Sequence, residues 1–305
     1  MKAARLILVS LIGALTIFVF SDSVMAAMSS SNYRIDWDNV GFGGDDTSSS
    51  ASYNLIDSVG GNAVGQTDGT TLTLRSGYRE AGIEPVAEFT IYIQNKSSQV
   101  AALSISTTTI SVTDATGYAI GDMIAIIQNE GASQVANIGK ITNVAANDII
   151  IDYYSSGVDP TIDGSNDFVY RLDGSSYSFG TLTNAIVSTG IVAWEVQADV
   201  DDGYGVYVYE NDDLKSGSLT INDVSDGTVS SGSTEYGGRS SDSSLATSTF
   251  DSQDTAFTQN MSLVGSRSSN SFASRDFVTL KAAIMGSQAA GTYSHTLYFI
   301  YVGDY

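Results

Sequence analysis

Two clusters of acidic residues flank a short alternating run, and carboxylates at this density are the ligands that calcium prefers in proteins. The stretch reads DVDDGYGVYVYENDD over residues 199–213. As a strand, the alternating run between the clusters would span about 20 Å, so the clusters cannot share one ion. We expect any calcium site to use Asp199, Asp201 and Asp202, with a solvated acidic rim as the alternative.

The spacing of these acids differs from that of a helix-loop-helix calcium loop, which needs acids at alternate positions, then Gly, then a late Glu. A closer approach to that loop is DPTIDG at residues 159–164. Its twelfth position is Tyr170, which cannot supply a bidentate carboxylate. Calcium is therefore the one metal that the sequence brings into consideration, and we predict no other cofactor.

A second candidate surface is aromatic. The valines and tyrosines of GVYVYE alternate, so Tyr207 and Tyr209 fall on the same face of a predicted strand. We expect these two residues and Tyr204 to form a binding surface that stacks on sugar rings or on another subunit, extended by Tyr298 and Tyr301. The alternative is that at least half of these rings are buried or scattered.

Groups that would support catalysis are scarce. The chain has 1 His and 0 Cys, so cysteine nucleophiles are absent and a zinc site built on His or Cys lacks ligands. A Ser-His-Asp triad would depend on His295, whose place in a predicted strand favours a structural or surface role. No spacing of acids singles out a carboxylate pair for glycoside cleavage. We therefore predict that the protein is not an enzyme.

The N-terminus has the pattern of a secretory signal peptide. Lys2 and Arg5 precede an apolar stretch at residues 6–20, and Val24 and Ala26 are spaced for signal-peptidase cleavage. We predict a signal peptide over residues 1–26 and a secreted protein, extracellular or at the cell surface; an uncleaved anchor is the alternative. No later segment is apolar over the ~20 residues that a spanning helix needs, so we expect no membrane span in the mature chain.

The net charge restricts the partners. At −21, the chain would repel nucleic acid, which is bound through lysine and arginine, and also anionic membranes. The charge suits an exported protein, or one that takes up divalent cations when it packs against copies of itself. With 0 Cys, disulfides are excluded, so the fold depends on its core alone.

Strands must position the candidate residues. The composition, with 2 Pro and 30 Gly among many Ser, Thr, Val and Ile, predicts a nearly all-β chain. In IVAWEVQA, Val192, Trp194 and Val196 share one face while Ala193 and Glu195 share the other, as expected for a strand with one buried face. FVTLKAAIM at residues 277–285 also fits a helical stripe, and we interpret it as a strand because of its neighbours.

Three regions follow the predicted signal peptide. Residues 27–85 contain short repeats in a Ser/Gly-rich context, in which YRI at residues 33–35 recurs as YNL and LTL. A Ser/Gly-rich linker is the alternative for this region. Residues 86–175 contain short apolar runs, which predict a small β module, and we predict a β-sandwich for residues 176–305. In an alternative arrangement, AEFTIYIQN is the first strand of the sandwich and a module from about Ile105 to Arg171 is inserted after it.

Several motifs resemble those of known exported proteins. The Ser-x-Tyr-Arg-(Ile/Leu) unit, Asp-Ser-Val-Gly-Gly and Arg-x-Gly-Tyr resemble the N-terminal repeats of exported bacterial proteins of unknown function. The middle region resembles a small β-barrel module of large secreted and phage-associated proteins, in which Gly121-Asp122 turns the chain into the strand that begins at Met123. This module carries no known chemistry of its own.

The C-terminal region resembles the β-sandwich of surface proteins common in uncultured small-genome bacteria. The motif series is Phe-Gly-Thr-Leu at residues 179–182, Asp-Gly-Tyr at 202–204, Leu-x-Ser-Gly at 214–217 and Gly-Thr-Tyr-Ser at 291–294. The resemblance implies an immunoglobulin-like sandwich. We expect a structural or adhesive protein that self-associates as a homo-oligomer or filament; the alternative is a monomeric carbohydrate- or host-binding module.

Overall fold

The computed structural model of the chain describes residues 48–49, 54–55, 65–68, 73–76, 87–155, 157–198, 202–269 and 271–303. Regular structure in these residues is almost entirely β-strand, which confirms the predicted all-β class. The chain divides into two compact units, Met1–Glu84 and Pro85–Tyr305. Within the described residues, no helix has the length and apolar character needed to span a bilayer. The predicted signal peptide lies outside the described residues.

The first unit contributes two short antiparallel strand pairs. Strand β1 (Ser48–Ser49) pairs with β2 (Asn54–Leu55), and β3 (Gly65–Asp68) pairs with β4 (Thr73–Ser76). Strands β2 and β4 overlap the second and third of the predicted repeats. The first repeat, YRI at residues 33–35, lies outside the described residues.

The second unit begins with β5 (Ala87–Ile93) and a single 3-10 turn (Lys96–Ser98), after which six strands close into a barrel. The barrel strands are β6 (Val100–Ser106), β7 (Thr109–Val112), β8 (Met123–Gln128), β9 (Val135–Ala145), β10 (Asp148–Ile151) and β11 (Phe168–Arg171). Their order is β10-β7-β6-β11-β8-β9, closed by pairing between β9 and β10. Gly121 turns the chain into β8 with φ of 96°, a conformation that glycine adopts without a steric cost.

The remaining strands form a sandwich with β5. They are β12 (Ser188–Ala198), β13 (Tyr204–Glu210), β14 (Leu214–Ser216), β15 (Leu219–Asp223), β16 (Glu235–Ser240), β17 (Ser262–Arg267), β18 (Ser271–Ala283) and β19 (Leu297–Gly303). One sheet has six strands in the order β14-β15-β16-β18-β12-β5, and the other has three in the order β17-β13-β19. Only the β15–β16 pair among the described sandwich pairs is parallel.

The barrel strands lie in sequence between two neighbouring strands of the sandwich. Strand β5 pairs with β12 along seven consecutive positions, from Ile93 opposite Val192 to Ala87 opposite Ala198. The barrel strands span Val100 to Arg171, between β5 and β12. The strand AEFTIYI therefore belongs to the sandwich sheet rather than to the barrel.

The sandwich core is built from the alternating faces of both sheets. Trp194 of β12 is fully buried, and its ring lies 5.8 Å from that of Phe299 in the opposite sheet. Gly265 of β17 faces the same indole, because a Cβ atom there would lie 2.8 Å from the Trp194 ring. Two largely antiparallel sheets whose inner side chains interdigitate in this way are typical of a β-sandwich.

The barrel packs on the outer face of the six-stranded sheet at β12 and β18. Ile191, Ala193 and Phe277 of the sheet pack in one apolar cluster with barrel residues that include Met123 and Tyr170. The expectation of a single buried face is therefore wrong for β12, because the barrel buries the face that sequence alone leaves to solvent. Both faces of a sheet are commonly buried where another layer packs against it.

A buried ion pair of the sheet, Glu195 with Arg275, extends across this interface to Asp152. Glu195, on the face expected to be exposed, is only 7% exposed and accepts a hydrogen bond of 2.6 Å from Arg275 Nε. Arg275 also contacts Asp152, after barrel strand β10, at 2.8 Å, and its guanidinium lies 4.5 Å from the centre of the Tyr153 ring. A charge is stable at such depth only when it is paired and hydrogen-bonded, so this cluster connects the barrel to the sandwich.

Candidate functional site

The turn that carries Asp202 is fixed by the glycine after it. Gly203 has φ of +89°, and a Cβ atom there would collide with the carbonyl oxygen of Arg267. Asp202 is exposed in this turn. Asp199 and Asp201, the other two predicted calcium ligands, lie outside the described residues.

A guanidinium already neutralises the described acids beside this turn. Arg267 Nη2 lies 2.8 Å from Asp276 Oδ2, and its Nη1 lies 3.5 Å from Asp242 Oδ2. Asp242 also accepts the backbone N–H of Ser266 at 2.9 Å. These two buried carboxylates are therefore engaged in structural contacts, and Asp202 is the one described member of the predicted calcium set.

The second acidic cluster is more closely assembled than its sequence spacing indicates. Glu210 ends β13, Asp213 follows it, and Asp223 ends β15 in the opposite sheet. Each of the three offers a carboxylate oxygen, and these oxygens all lie within 4.8 Å of one another. The sequence alone does not predict that Asp223 belongs to this cluster, because nothing near it in sequence distinguishes it from other acids. Only the stacking of the two sheets brings it close to Glu210.

A histidine and a tyrosine support the buried member of this cluster. Glu210 is 2% exposed, and its Oε2 lies 3.0 Å from His295 Nδ1. The other ring nitrogen, His295 Nε2, lies 2.9 Å from the hydroxyl of the buried Tyr236. The single histidine therefore serves as a structural link between the sheets, and no nucleophilic serine is part of this network.

The cluster raises the pKa of Asp223 to about 6, first because the carboxyl is partly buried and then because Glu210 and Asp213 repel its charge. Its Oδ1 atom is buried and has no hydrogen-bond partner among the described residues. Three hard oxygen donors at this spacing are suited to calcium, which takes six to eight oxygen ligands. Without a cation, the same geometry favours a shared proton.

Replacing Asp223 with asparagine tests this repulsion. A carboxyl whose pKa is raised on folding destabilises the folded state as pH rises from about 4 through about 6, so the loss is complete at neutral pH. We expect Asp223→Asn to stabilise the chain by about 1–2 kcal/mol near pH 8, after allowance for partial exposure, and to have little effect near pH 4. Thermal unfolding at both pH values measures it.

Asp202→Asn is the control, because Asp202 is an exposed acid of the other cluster. It should leave stability nearly unchanged at either pH. Unfolding of the same two variants in millimolar calcium shows which acidic cluster binds the ion. An ion held by Glu210 and Asp223 would make Asp223→Asn destabilising. Equal effects of both variants would contradict the assigned repulsion.

The structure divides the predicted aromatic surface between two faces. Tyr204 is only 1% exposed, and its ring packs 5.6 Å from that of Tyr301 on the core side. Tyr207 and Tyr209 point to the opposite, outer face of the three-stranded sheet, where Tyr209 stacks on Tyr298 at 4.8 Å and 15°. Tyr204 is thus a core residue rather than a binding residue. Side chains alternate along a strand, so Tyr204 lies on the same face as the buried Val206 and Val208.

The outer face of the three-stranded sheet carries further apolar side chains. Tyr207 lies between Leu263 of β17 and Ile300 of β19 in one cross-strand row. Val302 is 41% exposed and Tyr298 is 43% exposed. The alternation of LYFIYVG at residues 297–303 is the sequence signal that could have identified Ile300 and Val302.

Two shallow surface clefts in the described residues do not assemble catalytic groups. One is lined mainly by serines and by Asn95, Lys96 and Asp173. The other is lined by serines and by Asp242 and Arg267. Each has one carboxylate and no histidine, whereas acid–base or nucleophilic catalysis needs at least a paired group.

Comparison with known proteins gives no relative from which a function could be transferred. None of the family models, curated proteins or solved structures matches this chain. Function must therefore be argued from the surfaces described above, because a sandwich fold by itself hosts many unrelated activities.

Proposed function

We propose that this chain is an exported, non-enzymatic protein with a structural or adhesive role outside the cell or at its surface, and that copies of it self-associate through the sandwich. The observation that carries the proposal is the edge of β19, which no other strand covers in the part of the chain that the structure describes. Exposed edge strands are templates for pairing with another chain unless they are blocked.

Strand β19 has none of the features that block an edge. It pairs with β13 at seven consecutive positions without a bulge, and its sequence LYFIYVG contains no proline and no charged residue. Its other edge has no strand partner in the described part of the chain. A flat, uncharged strand of this length is the kind that accepts an added strand.

The other three edges of the sandwich are each modified. In the six-stranded sheet, β14 has three residues and its Lys215 is bridged by Ser294, while β5 carries the charged Glu88. In the three-stranded sheet, β17 is bulged opposite Val206 and ends at Arg267. Protection at three edges makes the bare fourth edge the favoured site of association.

The buried charges of the sandwich are used for structure, which supports a non-enzymatic role. Arg275 is held by Glu195 and Asp152, and Lys281 Nζ lies 2.8 Å from Asp254. The candidate cation cluster at Glu210 lies beside Leu297, the first residue of β19. Calcium bound there would reduce the repulsion between copies that carry a net charge of −21.

Removal of residues 27–84 tests the proposal. We expect the complete secreted chain to show a mass above that of one chain in light scattering, and the shortened chain to be monomeric, because the deleted region supplies the strand that pairs with β19. Thermal unfolding is the control, since Pro85–Tyr305 is a compact unit with its own core. A shortened chain that still associates would contradict the role of this region.

A monomeric carbohydrate-binding module is the second candidate. The observation that favours it is the stacked pair of Tyr209 and Tyr298 on the outer face, because aromatic rings on a flat surface bind sugar faces. This function predicts glycan binding by a chain that stays monomeric at all concentrations. Self-association without glycan binding would exclude it.

A further inference from the structure

Among the residues that the structure describes, the sandwich core is open along one side. Strands β5 and β19 are edge strands of different sheets, yet they face each other across the core, because the rings of Phe89 and Tyr301 stack at 6.1 Å and 26°. Between them lies the side of the sandwich where neither sheet has a further strand in the described residues. We call this region, lined by Phe89, Ile91, Leu297, Phe299 and Tyr301, the open side.

The side chains of the open side are less buried than those of the adjacent strand. In β13 the core-facing Tyr204, Val206 and Val208 are all nearly fully buried. In β19 the core-facing residues are only half-buried, and Ile91 of β5 is 40% exposed. One additional strand beside β19 would cover these groups and complete a four-stranded layer.

The strand that fits must alternate, with large apolar groups toward the core and polar groups toward solvent. The N-terminal sequence Tyr33-Arg34-Ile35-Asp36-Trp37 has this pattern, with three large apolar residues separated by two charges. These three apolar residues equal in number the large core-facing side chains of β19, which are Leu297, Phe299 and Tyr301. The later repeats at β2 and β4 are already paired in their own short ribbons.

The geometry points to the Tyr33–Trp37 segment of a second copy as the strand that adds beside β19 and places Tyr33, Ile35 and Trp37 over the open side. This inference rests on the proposed self-association and assigns its donor and acceptor. Main-chain hydrogen bonds to β19 give affinity, and the alternating side chains give register. Each aromatic ring of the donor brings ~150–250 Å² of surface to bury.

A donor of this kind would also protect the edge that it creates. Arg34 and Asp36 would lie on the solvent face of the added strand, and charges on an edge strand block further pairing. The open side therefore takes one strand and no more. The donor segment and the acceptor strand β19 belong to different compact units of the chain, so each copy can accept one strand and donate another. Repetition of this exchange generates a linear assembly.

The length of chain before β5 permits donation to a neighbour. Between Trp37 and Ala87 lie 49 residues, which span at most about 160 Å when fully extended. This reach covers the open side of an adjacent copy as well as that of the same chain. The test must therefore distinguish exchange between copies from insertion within one copy.

Engineered disulfides provide that test, because the chain has 0 Cys and every cross-link is assignable. One full-length secreted chain carries Asp36→Cys and another carries Ile300→Cys. Ile300 lies on the outer face of the sheet, and Asp36 would lie on the solvent face of the added strand, so neither change would remove a core residue. Neighbouring strands bring Cα atoms within the ~4.4–6.8 Å that a disulfide needs. We expect oxidised heterodimers only when the two chains are mixed.

Two controls keep the test specific. Leu103→Cys, at an exposed position of the barrel, should form no cross-link with Asp36→Cys. Arg34→Cys in place of Asp36→Cys covers a shift of register by two residues. A chain that carries both Asp36→Cys and Ile300→Cys and cross-links only within itself as a monomer would overturn donation between copies.

Substitutions in the donor segment distinguish a failure of this inference from a failure of the proposed self-association. The triple change of Tyr33, Ile35 and Trp37 to serine should reduce the mass in light scattering to that of one chain. Changing Arg34, Asp36 and Asp38 to serine alters the other face and should leave the assembly intact. If neither triple variant changes the assembly and no cross-link forms, the assignment of the donor strand is wrong, although the protein still self-associates. A wild-type chain that is monomeric would contradict both the donor strand and the proposed self-association.

Discussion

Replacement of Arg275 by alanine is expected to lower the free energy of unfolding by about 3–5 kcal/mol, because it leaves buried Glu195 without its partner. Glu195 is 7% exposed, and the 2.6 Å hydrogen bond from Arg275 Nε is its charge-assisted contact. The substitution also removes the contact to Asp152, so the barrel would lose an ionic link to the sandwich. Urea unfolding of the full-length variant measures the change.

Arg171→Ala is the matched control for this prediction. Arg171 contacts Asp173 at 3.2 Å, but both side chains are substantially exposed. Exposed ion pairs contribute about 0–1 kcal/mol, so the control should differ little from the wild type. If both arginine variants lose similar stability, the buried cluster does not connect the barrel to the sandwich as described.

Replacement of Trp194 by alanine is expected to cost about 3–5 kcal/mol, since it removes the largest fully buried side chain of the sandwich core. The indole bridges the two sheets, with Gly265 and Phe299 on the opposite side. The resulting cavity would loosen the packing behind β19. Phe272→Ala, at a position 67% exposed, is the control and should change stability by less than about 0.5 kcal/mol.

Unfolding of these variants, followed by two spectroscopic probes, shows whether the barrel and the sandwich unfold together. Near-ultraviolet circular dichroism reports the aromatic core, and far-ultraviolet signals report the strands of both the barrel and the sandwich. Coincident transitions are expected for the wild type, because the barrel and the sandwich share an apolar interface. If Trp194→Ala leaves stability unchanged, the sandwich core is not organised around this residue.

Local alternation accounts for what the sequence predicted well. Trp194 faces the core, and Tyr207 and Tyr209 share the outer face, because side-chain parity along a strand depends only on position. The same alternation along the strand places Tyr204 on the buried face with Val206. The first seven residues of FVTLKAAIM, 277–283, belong to β18, since pairing with strands on both sides outweighs a weak helical spacing.

Long-range packing accounts for what the sequence did not reveal. Glu195 has the local pattern of an exposed residue, and only the barrel packed on its face buries it. Asp223 joins Glu210 because the two sheets stack, so their separation in sequence carries no signal. The bare edge of β19 likewise depends on sheet order, which strand patterns do not specify.

Light scattering of the chain that begins at residue 27, over a range of protein concentration and with calcium added and then chelated, tests the central claim most directly. We expect a mass that rises with concentration above that of one 32.0 kDa chain less residues 1–26, increases with calcium and falls on chelation. A mass that stays at one chain at every concentration, with and without calcium, would contradict self-association through the open side.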